Sequence, residues 1–184
     1  MLLQRENSIL LLVDVQEKLT PLVQESELLI ERCSWLMQVA SSLQIPQLSS
    51  MQHPAGLGPI VPELCSAHAV YPKEHFSCWR DLPLQAAIQS LNRKQIILIG
   101  IETHICILQT ALDLLNAQYE VFVVIDAVSS RKKIDYRYGL KRIKQAGGQL
   151  VTHEMIFFEW LERAGTLQFK TMLNQYLKTT QTSP

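Results

Sequence analysis

Short apolar runs alternate with longer amphipathic segments along most of the chain. The runs SILLLV, QIILI and VFVVI are apolar almost throughout, as is typical of strands buried on both faces of a parallel sheet. IPQLSSM, HAVYPK and QLVT predict three shorter strands. Six strands separated by helical segments predict an α/β fold, in which a central, mainly parallel sheet lies between two helical layers in a Rossmann-like three-layer α/β/α sandwich.

Helices are predicted where apolar residues recur about every 3.6 positions. This pattern covers residues 27–43 and 104–116 and the segments LPLQAAIQSL and KKIDYRYGLKRIKQAGG, the last with Gly147 as its C-cap. Two more helices follow the last strand. The prolines and glycines of QHPAGLGPIVPEL exclude a regular element there. We find no repeat and no linker, so the 184 residues, 1–184, are expected to form a single domain.

The composition of the chain argues against several classes of protein. Lysine plus arginine and aspartate plus glutamate both number 17, and no basic run occurs, so we predict no nucleic-acid partner. The longest apolar run, residues 9–13, is too short for a membrane span or a signal-peptide core. We therefore expect a cytoplasmic protein with no membrane partner. Its four cysteines form no CxxC pair and are expected to be free thiols.

Chemically useful side chains follow the predicted strands. Asp14 ends the first strand, Lys73 follows the third, Cys106 follows the fourth, and Asp126 ends the fifth. Because ligands bind at the carboxyl ends of strands in open α/β sheets, an acid, an amine and a thiol are predicted to gather at one edge. Each also has an ordinary structural explanation, as a turn residue, a solvated lysine or a buried thiol. For Asp126 we favour the structural role.

The predicted helix around Cys106 bears on whether this thiol is a core residue or a nucleophile. An apolar stripe is formed by Ile105, Leu108, Ala111, Leu112 and Leu115. In an α-helical register Cys106 lies about 100° from Ile105. It then shares a face with Gln109, Thr110 and Asp113. The register therefore predicts a thiol outside the core, in a first helical turn that favours the thiolate.

Three segments, taken in order, resemble the isochorismatase-like cysteine hydrolase superfamily, which includes nicotinamidases. They are LLLVDVQEKL around Asp14, YPKEHFSCW around Lys73, and GIETHICILQTALDLL around Cys106. QHPAGLGPIVPEL and VVIDAVSSR are similar to a narrower branch, the isochorismatase domain-containing proteins. The resemblance extends from about Ser8 to Thr152 and implies the same three-layer fold.

The resemblance also implies a site. Asp14, Lys73 and Cys106 would form a catalytic triad, and a cis peptide bond would join Ile101 to Glu102. The backbone N–H groups of Glu102 and Cys106 would then form an oxyanion hole. Family members are commonly oligomers, so a homo-oligomer is expected. We assign no catalytic role to the side chains of Glu102 and His104.

The chain departs from the nicotinamidases where they carry a metal site built from Asp-x-His and a later histidine. SMQHP offers Gln52 and His53 instead, and a neutral amide is a poor zinc ligand. We therefore predict no metal and no cofactor. Whether His53, His68 or His75 contacts the substrate stays open.

Four residues are candidates for lining the substrate pocket: Gln16, Gln52, Phe76 and Trp79. Phe76 and Trp79 suit the hydrophobic core equally well, because pockets are themselves apolar and aromatic.

The leading functional hypothesis is a metal-independent hydrolase that cleaves a small amide or related carbonyl substrate through a thioester. The second is vinyl-ether hydrolysis of the isochorismate type, with Asp14 as the acid. The third is a non-catalytic, oligomeric binding protein of the same fold.

Overall fold

The computed structural model describes residues 1–65 and 69–177, and six parallel strands dominate it. The strands are β1 (Ser8–Val13), β2 (Gln47–Gln52), β3 (Ala69–Lys73), β4 (Gln95–Ile101), β5 (Glu120–Ser129) and β6 (Gln149–Val151). They form one sheet in the order β3-β2-β1-β4-β5-β6, and every neighbouring pair is parallel. The chain order reverses between β1 and β4, which is the usual position of a ligand site in this class of sheet.

Helices cover both faces of the sheet. They are α1 (Ser26–Ser42), α2 (Pro54–Leu57), α3 (Leu82–Ser90), α4 (Leu108–Asn116), α5 (Lys133–Gln145), α6 (His153–Leu161) and α7 (Leu167–Tyr176). Helices α1, α6 and α7 pack against one face, and α3, α4 and α5 pack against the other. The predicted three-layer sandwich is confirmed.

β1 shows why its sequence lacks alternation. Leu10 and Leu12 belong to the core beneath α1, whereas Ile9, Leu11 and Val13 belong to the core on the opposite face. Side chains still alternate between the faces, but both faces are covered, so all six residues are buried.

The end of β5 differs from the prediction. Asp126 lies inside β5 rather than at its end, and the strand continues to Ser129. A charged residue is tolerated there because β6 pairs only with residues 122–124 of β5, so the outer strand edge is open beyond them. The Asp126 carboxylate accepts a hydrogen bond from the backbone N–H of His153 at 3.0 Å, at the start of α6.

Smaller features of the chain are also settled. One helical turn, α2, forms within the segment predicted to be irregular. The four cysteines are free thiols. No helix in residues 1–65 and 69–177 has the length and apolar character needed to cross a membrane. His68, one of the three histidines considered above, lies outside the described residues.

Gly100 permits the closest backbone approach in the centre of the sheet. Its φ is +111°, and a Cβ atom there would lie 2.2 Å from the carbonyl oxygen of Val13. Val13 immediately precedes Asp14, so this contact bears on the position of the β1 end.

Gly100→Ala is predicted to destabilise the protein by about 3 kcal/mol or more, because the β1 backbone has to move. Gly147 is a matched control, since its φ is +102° but a Cβ there meets nothing within 4 Å. Gly147→Ala should cost only about 1 kcal/mol, the strain of a side chain at positive φ. Urea denaturation measures both, and equal losses would show that the contact with Val13 is unimportant.

Candidate active site

Three strand ends position the predicted triad. Asp14 directly follows the central strand β1, Lys73 is the last residue of β3, and Cys106 lies in a π-helical turn, Thr103–Ile107, after β4. Strand β2 separates β3 from β1, so the two backbones are about 10 Å apart at a spacing of nearly 5 Å per strand. The long side chain of Lys73 crosses this gap over the end of β2.

The Lys73 ammonium is the centre of the cluster. Its Nζ lies 2.8 Å from Asp14 Oδ2 and 3.6 Å from Cys106 Sγ. It also donates to Gln52 Oε1 at 2.6 Å and to the carbonyl oxygens of His75 and Phe76 at 3.1 and 3.2 Å. The structure thus brings the acid, the amine and the thiol together at one point.

Burial makes these contacts strong. The side chains of Asp14 and Lys73 are both 0% exposed. Removing either partner would leave an uncompensated charge inside the protein, which is far more costly than losing a surface ion pair. The pair therefore fixes both side chains where the thiol can contact them.

The electrostatics correct the expectation of a ready-made thiolate. Burial raises the pKa of the Cys106 thiol, the Asp14 carboxylate raises it further, and Lys73 offsets only part of the increase. Burial by itself would lower the pKa of Lys73, but the charge of Asp14 and the neighbouring thiols outweighs it, so the net shift is upward. These shifts favour the protonated thiol of Cys106 beside the ion pair of Lys73 and Asp14.

The expected exposure of Cys106 is also wrong. Cys106 is only 7% exposed, and it packs with the core under α4. The prediction assumed an α-helical register from residue 104, whereas the chain forms a π-helical turn over Thr103–Ile107 before α4 begins. The wider turn changes the side-chain directions, and Ile107, Ala111 and Leu114 are the fully buried apolar residues.

Two residues that the sequence analysis missed support Asp14. Ser50 Oγ donates to Asp14 Oδ1 at 2.8 Å, and Cys78 Sγ donates to Ser50 Oγ at 3.4 Å. Burial, followed by the charge of Asp14, raises the pKa of Cys78 to about 11. Because Cys78 is 0% exposed and its Sγ is directed at Ser50, we assign this second thiol a donor role. The available signal was a polar serine in β2, opposite Val13 of β1.

The loop that carries Cys106 is held by the end of β5. Thr103 Oγ1 donates to the Ser129 carbonyl oxygen at 3.0 Å, and His104 Nδ1 lies 3.0 Å from Ser130 Oγ. The Glu102 carboxylate accepts from the backbone N–H and from Nε of Arg131, at 3.0 and 3.1 Å. The peptide bond between Ile101 and Glu102 is cis. Glu102 and His104 thus act as loop anchors.

Gly139 lets α5 pack directly on the same loop. A Cβ at this position would lie 3.0 Å from the Thr103 carbonyl oxygen and 3.1 Å from His104 Cα. The nucleophile loop is therefore fixed from two sides, by β5 and by α5.

The predicted pocket residues have different roles in the structure. Gln16 is fully buried. Its Nε2 donates to the carbonyl oxygens of Gln52 and Gly58, and its Oε1 accepts from the backbone N–H of Gln52. It holds two loops together and does not line a pocket. Gln52 does lie at the site. Its Oε1 accepts a hydrogen bond from Lys73 Nζ, and its Nε2 donates to the Glu74 carbonyl oxygen at 2.9 Å.

The two aromatic candidates lie apart. Phe76 is 53% exposed beside the carbonyl oxygen that accepts from Lys73. Trp79 packs edge-on against Tyr119, with ring centres 5.2 Å apart. Because Tyr119 precedes β5, this contact lies towards the amino end of the sheet, and Trp79 is corrected to a structural residue.

Two of the histidines follow the ends of β2 and β3. His53 Nδ1 lies 3.1 Å from a carboxylate oxygen of Glu74, and His75 Nδ1 lies 3.3 Å from Asp81 Oδ2. Both imidazoles are more than half exposed. Neither contacts the triad through its side chain.

The resting protonation state gives a testable prediction. Asp14→Asn removes the charge that raises the thiol pKa and leaves Lys73 in place, so iodoacetamide should alkylate Cys106 at neutral pH about tenfold faster. Lys73→Met keeps the stem but removes the cation, and should slow alkylation about tenfold. Peptide mass spectrometry measures both rates in protein with native circular dichroism.

The exposed thiol of Cys65 is an internal reference, and its alkylation rate should be equal in all three proteins. Slower labelling of Cys106 in Asp14→Asn would show that the carboxylate does not hold the proton on the thiol.

Comparisons with known proteins show what the chain is similar to in sequence and in fold. The model of the isochorismatase domain matches residues 8–155. Isochorismatase domain-containing protein 2A of Mus musculus is 40% identical over 90% of this chain and 80% of its own length. The corresponding protein 2 of Danio rerio is 39% identical over 91% of this chain and 86% of its own length.

Two solved structures are similar throughout. The MAR1 ribonuclease from Caenorhabditis elegans has a TM-score of 0.90 and 31% identity, covering 100% of this chain and 98% of that one. The YcaC gene product from Escherichia coli, described as an octameric hydrolase of unknown specificity, has a TM-score of 0.88 and 25% identity, covering 96% and 91%. The chain belongs to the isochorismatase domain family.

Proposed function

We propose that the protein is a cysteine hydrolase that cleaves a small amide or a related carbonyl compound through a thioester. The observation that carries the proposal is the buried cluster in which Lys73 contacts both Asp14 and the Cys106 thiol, at 2.8 and 3.6 Å. A family neighbour is described as a hydrolase, which supports the same reaction class.

The first step uses the paired charges. Asp14 accepts the Cys106 proton as Sγ attacks the carbonyl carbon, so the negative charge passes from the carboxylate to the sulfur and then to the carbonyl oxygen. Lys73 stays protonated throughout, and its ammonium lies beside both Asp14 and Cys106. By resemblance, the backbone N–H groups of Glu102 and Cys106 stabilise the oxyanion.

The second half returns the site to its resting state. Asp14 gives its proton to the leaving amine nitrogen as the C–N bond breaks, which leaves a thioester on Cys106. A water molecule then loses a proton to Asp14 and attacks the thioester carbonyl. The C–S bond breaks, the acid is released, and the proton returns to the sulfur.

The residues do not fit the metal site of nicotinamidases. Gln52 Oε1 accepts from the Lys73 ammonium, so a cation already occupies the acceptor at this position. His53 lies against Glu74 on the surface. Within the described residues, no group of three histidine, cysteine, aspartate or glutamate side chains is arranged to hold a metal ion. We route no step through a metal.

Vinyl-ether hydrolysis is the second candidate, favoured by the name of the matching domain family. It needs a protonated acid at the substrate carbon, whereas the Asp14 carboxylate lies 2.8 Å from the Lys73 ammonium. The thiol would then have no task in the reaction. The geometry supports the covalent route better.

RNA cleavage deserves a direct test, because a 31% identical neighbour is described as a ribonuclease. Binding a phosphate backbone usually requires an excess of basic residues, and this chain has equal numbers of acidic and basic residues.

A homo-oligomer is proposed from the octameric neighbour, and light scattering after gel filtration measures the subunit number.

The test is a panel of small primary amides, with release of ammonia as the readout. Cys106→Ala should lower the rate on any substrate found by at least about a thousandfold. Cys33→Ala is the matched control, because Cys33 is also a buried thiol but lies on the other face of the sheet. It should leave the rate within about twofold, as expected for a group outside the site.

The same panel includes isochorismate and an RNA oligonucleotide. Acid quenching during turnover should trap an acyl group on the Cys106 peptide, visible by mass spectrometry. Hydrolysis of a vinyl ether or of RNA that survives Cys106→Ala would overturn the proposal. An amidase activity without a trapped acyl group would overturn the thioester step alone.

A further inference from the structure

A cavity lies at the open edge of β5. Its volume is about 580 Å³, and it lies between the start of α1, the second half of β5 and the start of α5. It exists because β6 pairs only with residues 122–124, so no described strand pairs with the outer edge of β5 beyond Val124. None of the triad residues lines it.

The body of the cavity is apolar. Leu28 and Leu29 of α1 form one wall, and Ile125 and Val128 of β5 form the floor. Leu28 is 40% exposed, so part of this wall is open to solvent. Ligand cavities of this size are commonly lined in this way.

Two cations stand on the opposite wall. Lys133 and Arg137 are four residues apart on α5, so they project from the same face of the helix. Neither side chain has a hydrogen bond or ion pair with another described residue. They are therefore available to an anionic group.

Two acidic residues also line the cavity, and they determine which way a bound anion is oriented. Asp126 is already engaged by His153, through the backbone N–H and through Nδ1 at 2.6 Å. Glu25 lies at the start of α1, on the wall across from the two cations. A bound anion is thus attracted to α5 and repelled from α1.

We propose that this cavity binds a small aliphatic or aromatic carboxylate, whose apolar body lies on Leu28, Ile125 and Val128 and whose carboxylate contacts Lys133 and Arg137. The site is separate from the proposed hydrolytic site. It shares a wall with it, because Ser129 and Ser130 line the cavity and also hold Thr103 and His104 of the nucleophile loop. The proposal does not depend on the reaction assigned to Cys106.

The probe is 8-anilinonaphthalene-1-sulfonate, an aromatic anion whose fluorescence rises in apolar sites. We expect one binding site per chain, with octanoate displacing the probe and octylammonium failing to do so. Lys133→Ala combined with Arg137→Ala should weaken binding about tenfold, the loss expected for charge-assisted contacts. Arg142→Ala combined with Lys144→Ala is the matched control, since it removes two exposed charges from the same helix outside the cavity.

A second variant tests the apolar wall. Leu28→Glu places a negative charge on a partly exposed position, so the fold should survive and probe binding should be lost. Protein already alkylated at Cys106 should bind the probe with unchanged affinity. Equal binding by the wild type, Leu28→Glu and the Lys133/Arg137 variant would place the probe elsewhere and overturn the proposal. If octanoate protects Cys106 from alkylation competitively, octanoate binds in the hydrolytic site, and this result would also overturn the proposal.

Discussion

The buried ion pair between Lys73 and Asp14 is the constraint on which the arrangement of the site depends. Two charges without solvent exposure persist only where hydrogen bonds and an opposite charge replace water. Here the ammonium contacts a carboxylate, an amide oxygen and two backbone carbonyl oxygens. Every one of these acceptors comes from the ends of β1, β2 and β3 or from the residues just after β3. The pair therefore ties three strand ends together while it holds a cation beside the Cys106 thiol.

Scaffold contacts around the pair make this geometry stable. Ser50 fixes one carboxylate oxygen of Asp14 and leaves the other for Lys73. Gln16 joins the loop after β1 to the end of β2. Gly139 and the end of β5 hold the loop that carries the thiol. Hydrogen bonds and ion pairs of this kind restrict side-chain motion, which the proposed catalytic site would require.

The sequence predicts the layers of the fold and the three reactive groups, because both follow from simple rules. Runs such as SILLLV indicate covered strands, and parallel strands bring their carboxyl ends to one edge. The local details depend on contacts that periodicity does not contain. An α-helical register gave Cys106 the wrong environment, because the turn that carries it is π-helical. Trp79 follows Lys73 by only six residues, yet its ring packs against Tyr119 near the other end of the sheet. Ser50 and Cys78 acquire their roles only from tertiary contacts with Asp14.

In the proposed mechanism, charge balance allows the Cys106 thiol to act as a nucleophile although its pKa is raised. In the resting state the negative charge is on Asp14, and the same charge makes a thiolate unfavourable. When the proton moves from the sulfur to the carboxylate, the repulsion between Asp14 and the thiolate disappears. Lys73 Nζ already lies 3.6 Å from the sulfur that becomes negative. The net charge of the cluster is unchanged, so the surrounding low-dielectric interior does not have to accommodate a new ion. In the proposed mechanism, the thiol therefore ionises only when Asp14 takes its proton.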